Sequence, residues 1–154
     1  MKRYKLVDQE YRTRADEDNE TLWLLADGTM PLITATGTGA EMCSDAVIHS
    51  YPSPLLAIFM NSVHANIKRP RCIEIDASPL IAGKITGSKG GHKSARMVKE
   101  VELPKPRPEH YVKFAIRCAR AIPGRTEIPE WEIWADLFLA GNYMAANAAD
   151  AANA

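Results

Sequence analysis

The longest apolar run of the chain, Leu55-Leu56-Ala57-Ile58-Phe59-Met60, follows Pro52-Ser53-Pro54 and is extended by Val63 and Ile67. Positions 55, 56, 59, 60, 63 and 67 share one helical face. Ser53 suits the N-cap, and Pro54 suits the first helical position, where a missing N–H costs nothing. Lys68-Arg69-Pro70 closes the run with cations and a breaker. The pattern predicts a central buried helix over residues 54 to 66, with Leu56, Phe59, Met60 and Val63 in the core.

Around this helix the hydrophobic period changes to two. Residues 4–7 and the short run 21–25 read as strands, the latter ended by Asp27-Gly28. Residues 32–36 alternate weakly and lead into Gly37-Thr38-Gly39. In 71–76, Ile73 and Ile75 face inward while Glu74 and Asp76 point away. Strands are also expected over 80–86 and 96–103. Between them, the segment from Gly87 to Lys93 (GSKGGHK) reads as a flexible loop.

Pro104-Lys105-Pro106-Arg107-Pro108 is a stiff connector. Beyond it, one helix carries Tyr111, Phe114, Ala115, Cys118 and Ile122 as an apolar stripe. Lys113, Arg117 and Arg120 make its basic stripe. A second helix starts at Pro129 and presents Trp131, Trp134, Ala135, Phe138 and Leu139, a stripe read as core rather than as a binding surface. Gly141 suits its C′ position. The order implies an α+β domain over residues 1–141: a small mixed or antiparallel sheet, one central buried helix and two C-terminal helices. Residues 142–154 form an alanine-rich, low-complexity tail.

Composition narrows the partners. The 154 residues carry 19 basic and 19 acidic side chains, so charge does not favour sequence-independent nucleic-acid binding. Three cysteines without a CxxC pair suggest reduced thiols. The start Met1-Lys2-Arg3-Tyr4-Lys5 has no leader-like apolar segment, and no apolar run is long enough to span a bilayer. A soluble, cytoplasmic protein is expected, with no membrane partner.

Several groupings carry candidate chemistry. Cys43, His49 and His64 invite comparison with a metal site, but their spacing matches no known finger, so no metal is assigned. Cys43 with His49, oriented by Asp45, has the elements of a thiol–imidazole pair. Gly87 to Ser94 approaches a phosphate-binding loop, except that His92 stands where the second glycine is needed and a strand follows. Lys84, Lys89, His92, Lys93 and Arg96 nevertheless make a basic cluster suited to an anionic partner, as does the face of Lys113, Arg117 and Arg120.

Two resemblances add to this. Tyr4-Lys5-Leu6, Trp23, Cys43-Ser44-Asp45, His49-Ser50-Tyr51, Pro54-Leu55-Leu56-Ala57 and Asn61-Ser62-Val63-His64-Ala65-Asn66 resemble, piece by piece, a family of small proteins of tailed phages and prophages. Leu103-Pro104, Val112-Lys113-Phe114-Ala115-Ile116, Trp134-Ala135 and the alanine-rich end extend the likeness. Ser50 and Ser62 depart from the Ala and Pro of that pattern. The resemblance implies a phage or prophage accessory protein and brings no activity. The layout of strand, Gly-rich turn, helix and alternating strands is similar to compact ADP-ribosyltransferase-like domains, in which Glu100-Val101-Glu102 would match a Glu-x-Glu acting on nicotinamide ribose.

The first expectation is therefore an accessory protein that binds a host or phage macromolecule and uses no cofactor. Nucleic acid is a less favoured partner, and self-association is left open. The alternative is a small transferase using NAD, with His49, Tyr51 and Glu100 as catalytic residues. Whether the chain is an enzyme stays open at this stage.

Overall fold

The N-terminal strand β1 (Lys2–Val7, KRYKLV) is unusual in placing cations where a core face is expected. Alternation puts Arg3, Lys5 and Val7 on one face and Tyr4 and Leu6 on the other. Arg3, Leu6 and Val7 are buried, so both faces of the strand are covered. The computed structural model of the chain describes residues 1–14, 20–42, 44–83, 89–124 and 126–146. The fold is α+β, with antiparallel sheets. It divides into two compact units, Met1–Lys105 and Pro106–Ala154. The boundary falls inside the proline-rich connector, so the helices beyond it belong to a unit of their own.

In the first unit β1 is followed by β2 (Arg12–Thr13), β3 (Thr21–Leu22), β4 (Leu32–Thr34) and β5 (Ile48–Ser50). The helical turns α1 (Pro54–Phe59) and α2 (Asn61–His64) come next. Strands β6 (Arg71–Ala77), β7 (Leu80–Gly83), β8 (Gly90–His92) and β9 (Ser94–Val101) complete the unit. One sheet has the order β1-β6-β9-β4 and a second the order β5-β8-β7, while β2 and β3 form a small ladder. A bridge between Tyr4 and Tyr51 links β1 to the residue after β5.

On β6 Ile73 and Ile75 are buried and Asp76 is exposed, as the alternation predicts, but Cys72 is buried as well and Glu74 is only partly exposed. Val7, Trp23, Ile48, Ile73, Ile75, Ala77, Ala95 and Met97 make one core cluster. Leu6, Tyr51, Ala57 and Cys72 make a second, flanked by Leu56 and Met60. Each large aliphatic side chain so buried contributes about 1.5–3 kcal/mol.

The central helix differs from expectation. The Ser53 hydroxyl does accept from the Leu56 N–H at 3.2 Å, and Pro54 stands in the first turn. The run nevertheless breaks at Met60 into two short helical pieces. Ala57 is the residue buried in α1, whereas Leu56, Phe59 and Met60 are half-buried and Val63 is 68% exposed. The Asn61 side chain explains part of the ending: it bonds both the N–H and the carbonyl of Ile67, turning the chain back.

The segment Gly90-Gly91-His92 also differs, since it is a fully buried strand rather than a flexible loop. The glycines there answer a packing demand. A Cβ at Gly90 would collide with the Leu80 side chain and come within 2.8 Å of Arg3 Nη2; at Gly91 it would lie 3.0 Å from Val47.

The second unit holds α3 (Pro108–Arg120) and α4 (Pro129–Leu139). Among its described residues, Ile116, Ala135 and Ala146 are the buried apolar ones. Trp131, Trp134, Phe138 and Tyr143 form a chain of tilted ring contacts, with the last centroids 4.8 Å apart. Among the described residues, no helix is long and apolar enough to cross a membrane.

Candidate functional site

Lys5 organises the principal cavity of the first unit. Its ammonium donates to the His49 carbonyl at 3.0 Å and stands 5.5 Å from the centre of the Trp23 ring. Trp23 is held by the core cluster, and its indole N–H donates to Thr13 Oγ1 at 3.2 Å. The cavity encloses about 820 Å³, a volume in the range of small-molecule sites. Its cationic wall comes from Lys5, Arg14 and Lys89, with His49 and His64 beside them.

Strand alternation explains how the histidine side arises. Ser50 turns away from the cavity on β5, while His49 and the following Tyr51 reach it and Ile48 borders it. The turn at α2 brings His64 to the same wall. The Tyr51 hydroxyl and His64 Nδ1 share a hydrogen bond of 3.1 Å, and the two rings stack with centroids 6.3 Å apart.

The electrostatics are one-sided. Burial, followed by the charges of Arg14 and Lys89, brings the Lys5 ammonium down to about 7. Burial pushes the His49 imidazole down to about 3, with Lys89, Lys5, Arg14 and His64 acting in the same direction. His64 is lowered by burial and then by Lys89. Among the described residues, the carboxylates on the wall are Glu20 and Asp45. Both are exposed, and Glu20 leans toward Arg12 at 3.6 Å.

The sequence-derived site residues fall into separate places. His49 and Tyr51 share the cavity, but Glu100 is not on its wall. Glu100 accepts from Arg71 Nε at 2.9 Å and Nη2 at 2.7 Å and from the Tyr11 hydroxyl at 2.7 Å. Those bonds hold its carboxyl below the usual range. His49, Tyr51 and Glu100 therefore do not form one constellation here.

Cys43, Lys84, Gly87 and Ser88 lie outside the described residues. Of the remaining basic candidates, Lys89 lines the cavity and Arg96 is exposed on β9. His92 corrects the basic-cluster expectation, because it is buried. Lys93 donates to the carbonyls of Gly37 and Ala46 at 3.1 and 3.0 Å, clamping a loop.

On the second unit, Arg120 is paired with Glu132 and Asp136, each at 2.8 Å, and Lys113 lies 5.5 Å from the centre of the Tyr143 ring. Arg117 is exposed. Among the described residues, no group of three or more His, Cys, Asp or Glu side chains is arranged to hold a metal ion. Cys72 is buried, and burial pushes its thiol up to about 12, which favours the protonated thiol.

Two members of the site were not named from the sequence. They are Lys5, which the sequence places only within a strand, and Arg14. The available signal was the alternation of KRYKLV, which sets Arg3 and Lys5 on the face of Val7. Comparison of the chain with known protein families, with curated proteins and with solved structures finds no match.

Proposed function

We propose that this protein acts by binding, and that its cavity receives an anionic, phosphate-bearing ligand of about nucleotide size. The observation that carries this reading is the gathering of Lys5, Arg14 and Lys89 on one cavity wall beside His49. Burial and these cations drive Lys5 and His49 toward their neutral forms. A bound anion reverses that penalty, because it restores the charged form of Lys5 and draws on Arg14 and Lys89 at the same time. In the phage setting that the sequence resemblance implies, the phosphate arrives on a free nucleotide or at the end of a host or phage nucleic acid.

The NAD-dependent transferase draws support from His49 and Tyr51 sharing a cavity wall. It loses its expected carboxylate, since Glu100 is engaged by Arg71 and Tyr11. Binding is therefore the stronger reading.

Calorimetric titration with ADP, NAD and a short 5′-phosphorylated single strand tests it and separates the sources. Saturable binding of at least one of them is expected, weakened at least tenfold by Lys89→Ala and by raised salt. Absence of binding by all three, or binding indifferent to both Lys89→Ala and salt, overturns the proposal. Labelled transfer from NAD to a protein acceptor, abolished by Tyr51→Phe, would restore the transferase.

A further inference from the structure

The geometry points to Lys5 as an imine-forming lysine, a covalent site for a carbonyl compound that also carries an anionic group. The preference for an anionic compound rests on the cavity reading above; the reactivity of Lys5 does not.

Three observations converge. The Lys5 amine projects from a strand held in register on both sides: it faces Ile73 on β6, and the bridge of Tyr4 to Tyr51 fixes the neighbouring residue. The strand thus fixes where the side chain starts, and the His49 carbonyl holds its nitrogen. It has a backbone carbonyl as acceptor and an aromatic face beside it, the one at His49 and the other at Trp23. The same cavity holds the hydrogen-bonded couple of Tyr51 and His64, two groups able to pass a proton. A lysine in an apolar setting beside other cations is the usual form of an activated amine nucleophile. Its lowered basicity, to about 7, leaves a large fraction as free amine at neutral pH.

The step balances without an external oxidant or reductant. The lone pair of Lys5 Nζ attacks the carbonyl carbon, and the carbonyl π pair moves to oxygen, which takes a proton. The resulting hydroxyl leaves as water after a second protonation, while the nitrogen gives up its two protons in turn, one as the carbinolamine forms and one as the C=N bond forms, so that the sum is amine plus carbonyl giving imine plus water. Tyr51 and His64, which line the same cavity, are the hydrogen-bonded couple to which the proposal assigns the supply and recovery of these protons. Arg14 and Lys89 are the cations that would hold the anionic group.

Pyridoxal 5′-phosphate, an aldehyde bearing a phosphate, is a suitable probe, trapped by borohydride reduction of the imine to a secondary amine. Substoichiometric probe at pH 7 is expected to give one adduct per chain, mapped to the peptide containing Lys5. Other lysines should follow only at higher pH or excess. Lys5→Met and Lys5→Arg should both lose that adduct while keeping the parent circular dichroism, the arginine variant preserving the charge. The rate should rise with pH around neutrality, under the influence of the facing groups Arg14, Lys89, His49, His64, Glu20 and Asp45.

An adduct scattered over surface lysines such as Lys99 and Lys105, with Lys5 unmodified in the folded protein, overturns the inference. Protection by inorganic phosphate or ADP separates the two readings. Lys5 labelling without protection keeps the imine site and removes the phosphate site. Nucleotide binding without Lys5 labelling does the reverse.

Discussion

Ser50 Oγ lies 2.7 Å from His92 Nε2, and both side chains are fully buried. His92 Nδ1 donates to the Ser78 carbonyl at 2.6 Å, which makes Nε2 the acceptor of the Ser50 proton. The Ser50 oxygen in turn accepts from Arg3 Nε at 3.0 Å. One hydroxyl thus satisfies two buried groups from β1 and β8. Burial lowers the basicity of His92, so the imidazole stays neutral and the chain of bonds keeps one direction.

Ser50→Ala leaves Arg3 Nε and His92 Nε2 without this partner. Each unpaired buried group costs about 1–3 kcal/mol. Arg3 Nη2 is already buried without a hydrogen-bond partner, so little reserve remains at that guanidinium. Urea denaturation of Ser50→Ala should show a lower midpoint with an unchanged slope. A midpoint equal to the parent's would mean that the network contributes nothing to stability.

Lys5 makes stability depend on alkaline pH. Its folded pKa, about 7, lies below the ordinary 10.5. Between these values the unfolded chain holds a proton that the folded chain does not, so this group favours folding increasingly as pH rises through that window. Below about 7 both states are charged, and the folded state bears the whole burial penalty. Lys5→Met should therefore stabilise the protein at pH 6 by on the order of a few kcal/mol and have much less effect near pH 10. Paired thermal melts at the two pH values check the difference. Equal shifts at both would place the Lys5 amine in solvent.

His49 acts on the acid side with the same sign. Its folded pKa of about 3, against an ordinary 6.5, means that stability is lost as pH falls from 6.5 toward 3. His64 and His92 are lowered too, and the depressed carboxylates of Asp8 and Glu100 add their own loss at lower pH. The informative quantity is the difference between parent and His49→Gln. The variant should unfold at a lower pH than the parent, and parallel acid-unfolding curves would exclude His49 from the titration.

Packing predicts a contrast between two aromatics. Trp23 is 1% exposed at the centre of the first core cluster, whereas Phe59 is half-buried and lies outside both clusters. Trp23→Ala should cost about 3–5 kcal/mol, and Phe59→Ala distinctly less. Denaturation of both variants side by side checks the order.

The same contrast shows what sequence patterning carried. Period-two alternation was legible wherever one face of a strand is apolar, as at Ile73 and Ile75. It misled where a buried face is polar: Arg3, Ser50 and His92 satisfy one another across three strands, a pairing that no local window contains. The glycines of β8 looked like a flexible loop because their reason is distant, the close approach of Leu80, Arg3 and Val47. The central apolar run had a correct start at Ser53 and Pro54, since a cap is a local device. Its interior was misread, because Asn61 ends it through side-chain bonds to Ile67. His49 and Tyr51 are candidates through the likeness of layout to ADP-ribosyltransferase-like domains, not through any local motif. Lys5 was missed because a lysine on a strand ordinarily means solvent.

Glu100 offers the cleanest separation of the two functional readings. It sits with Arg71 and Tyr11 on the partly exposed surface, where the guanidinium also lies over the Tyr11 ring at 4.3 Å from its centre. An ion pair so exposed contributes about 0–1 kcal/mol, so Glu100→Gln should fold normally and remain suitable for functional tests. If the cavity is the working site, this variant keeps parent affinity for the ligand that the titrations identify, and it keeps the pyridoxal phosphate adduct at Lys5. A transferase dependent on Glu100 requires the opposite. Its carboxylate must reach the ribose beside His49 and Tyr51, and Glu100→Gln would then abolish transfer while leaving NAD binding in place. Measuring NAD affinity and labelled transfer on the same Glu100→Gln preparation decides the matter. Loss of transfer with binding retained would join Glu100 to His49 and Tyr51 in one working site and overturn the reading of the protein as a binder.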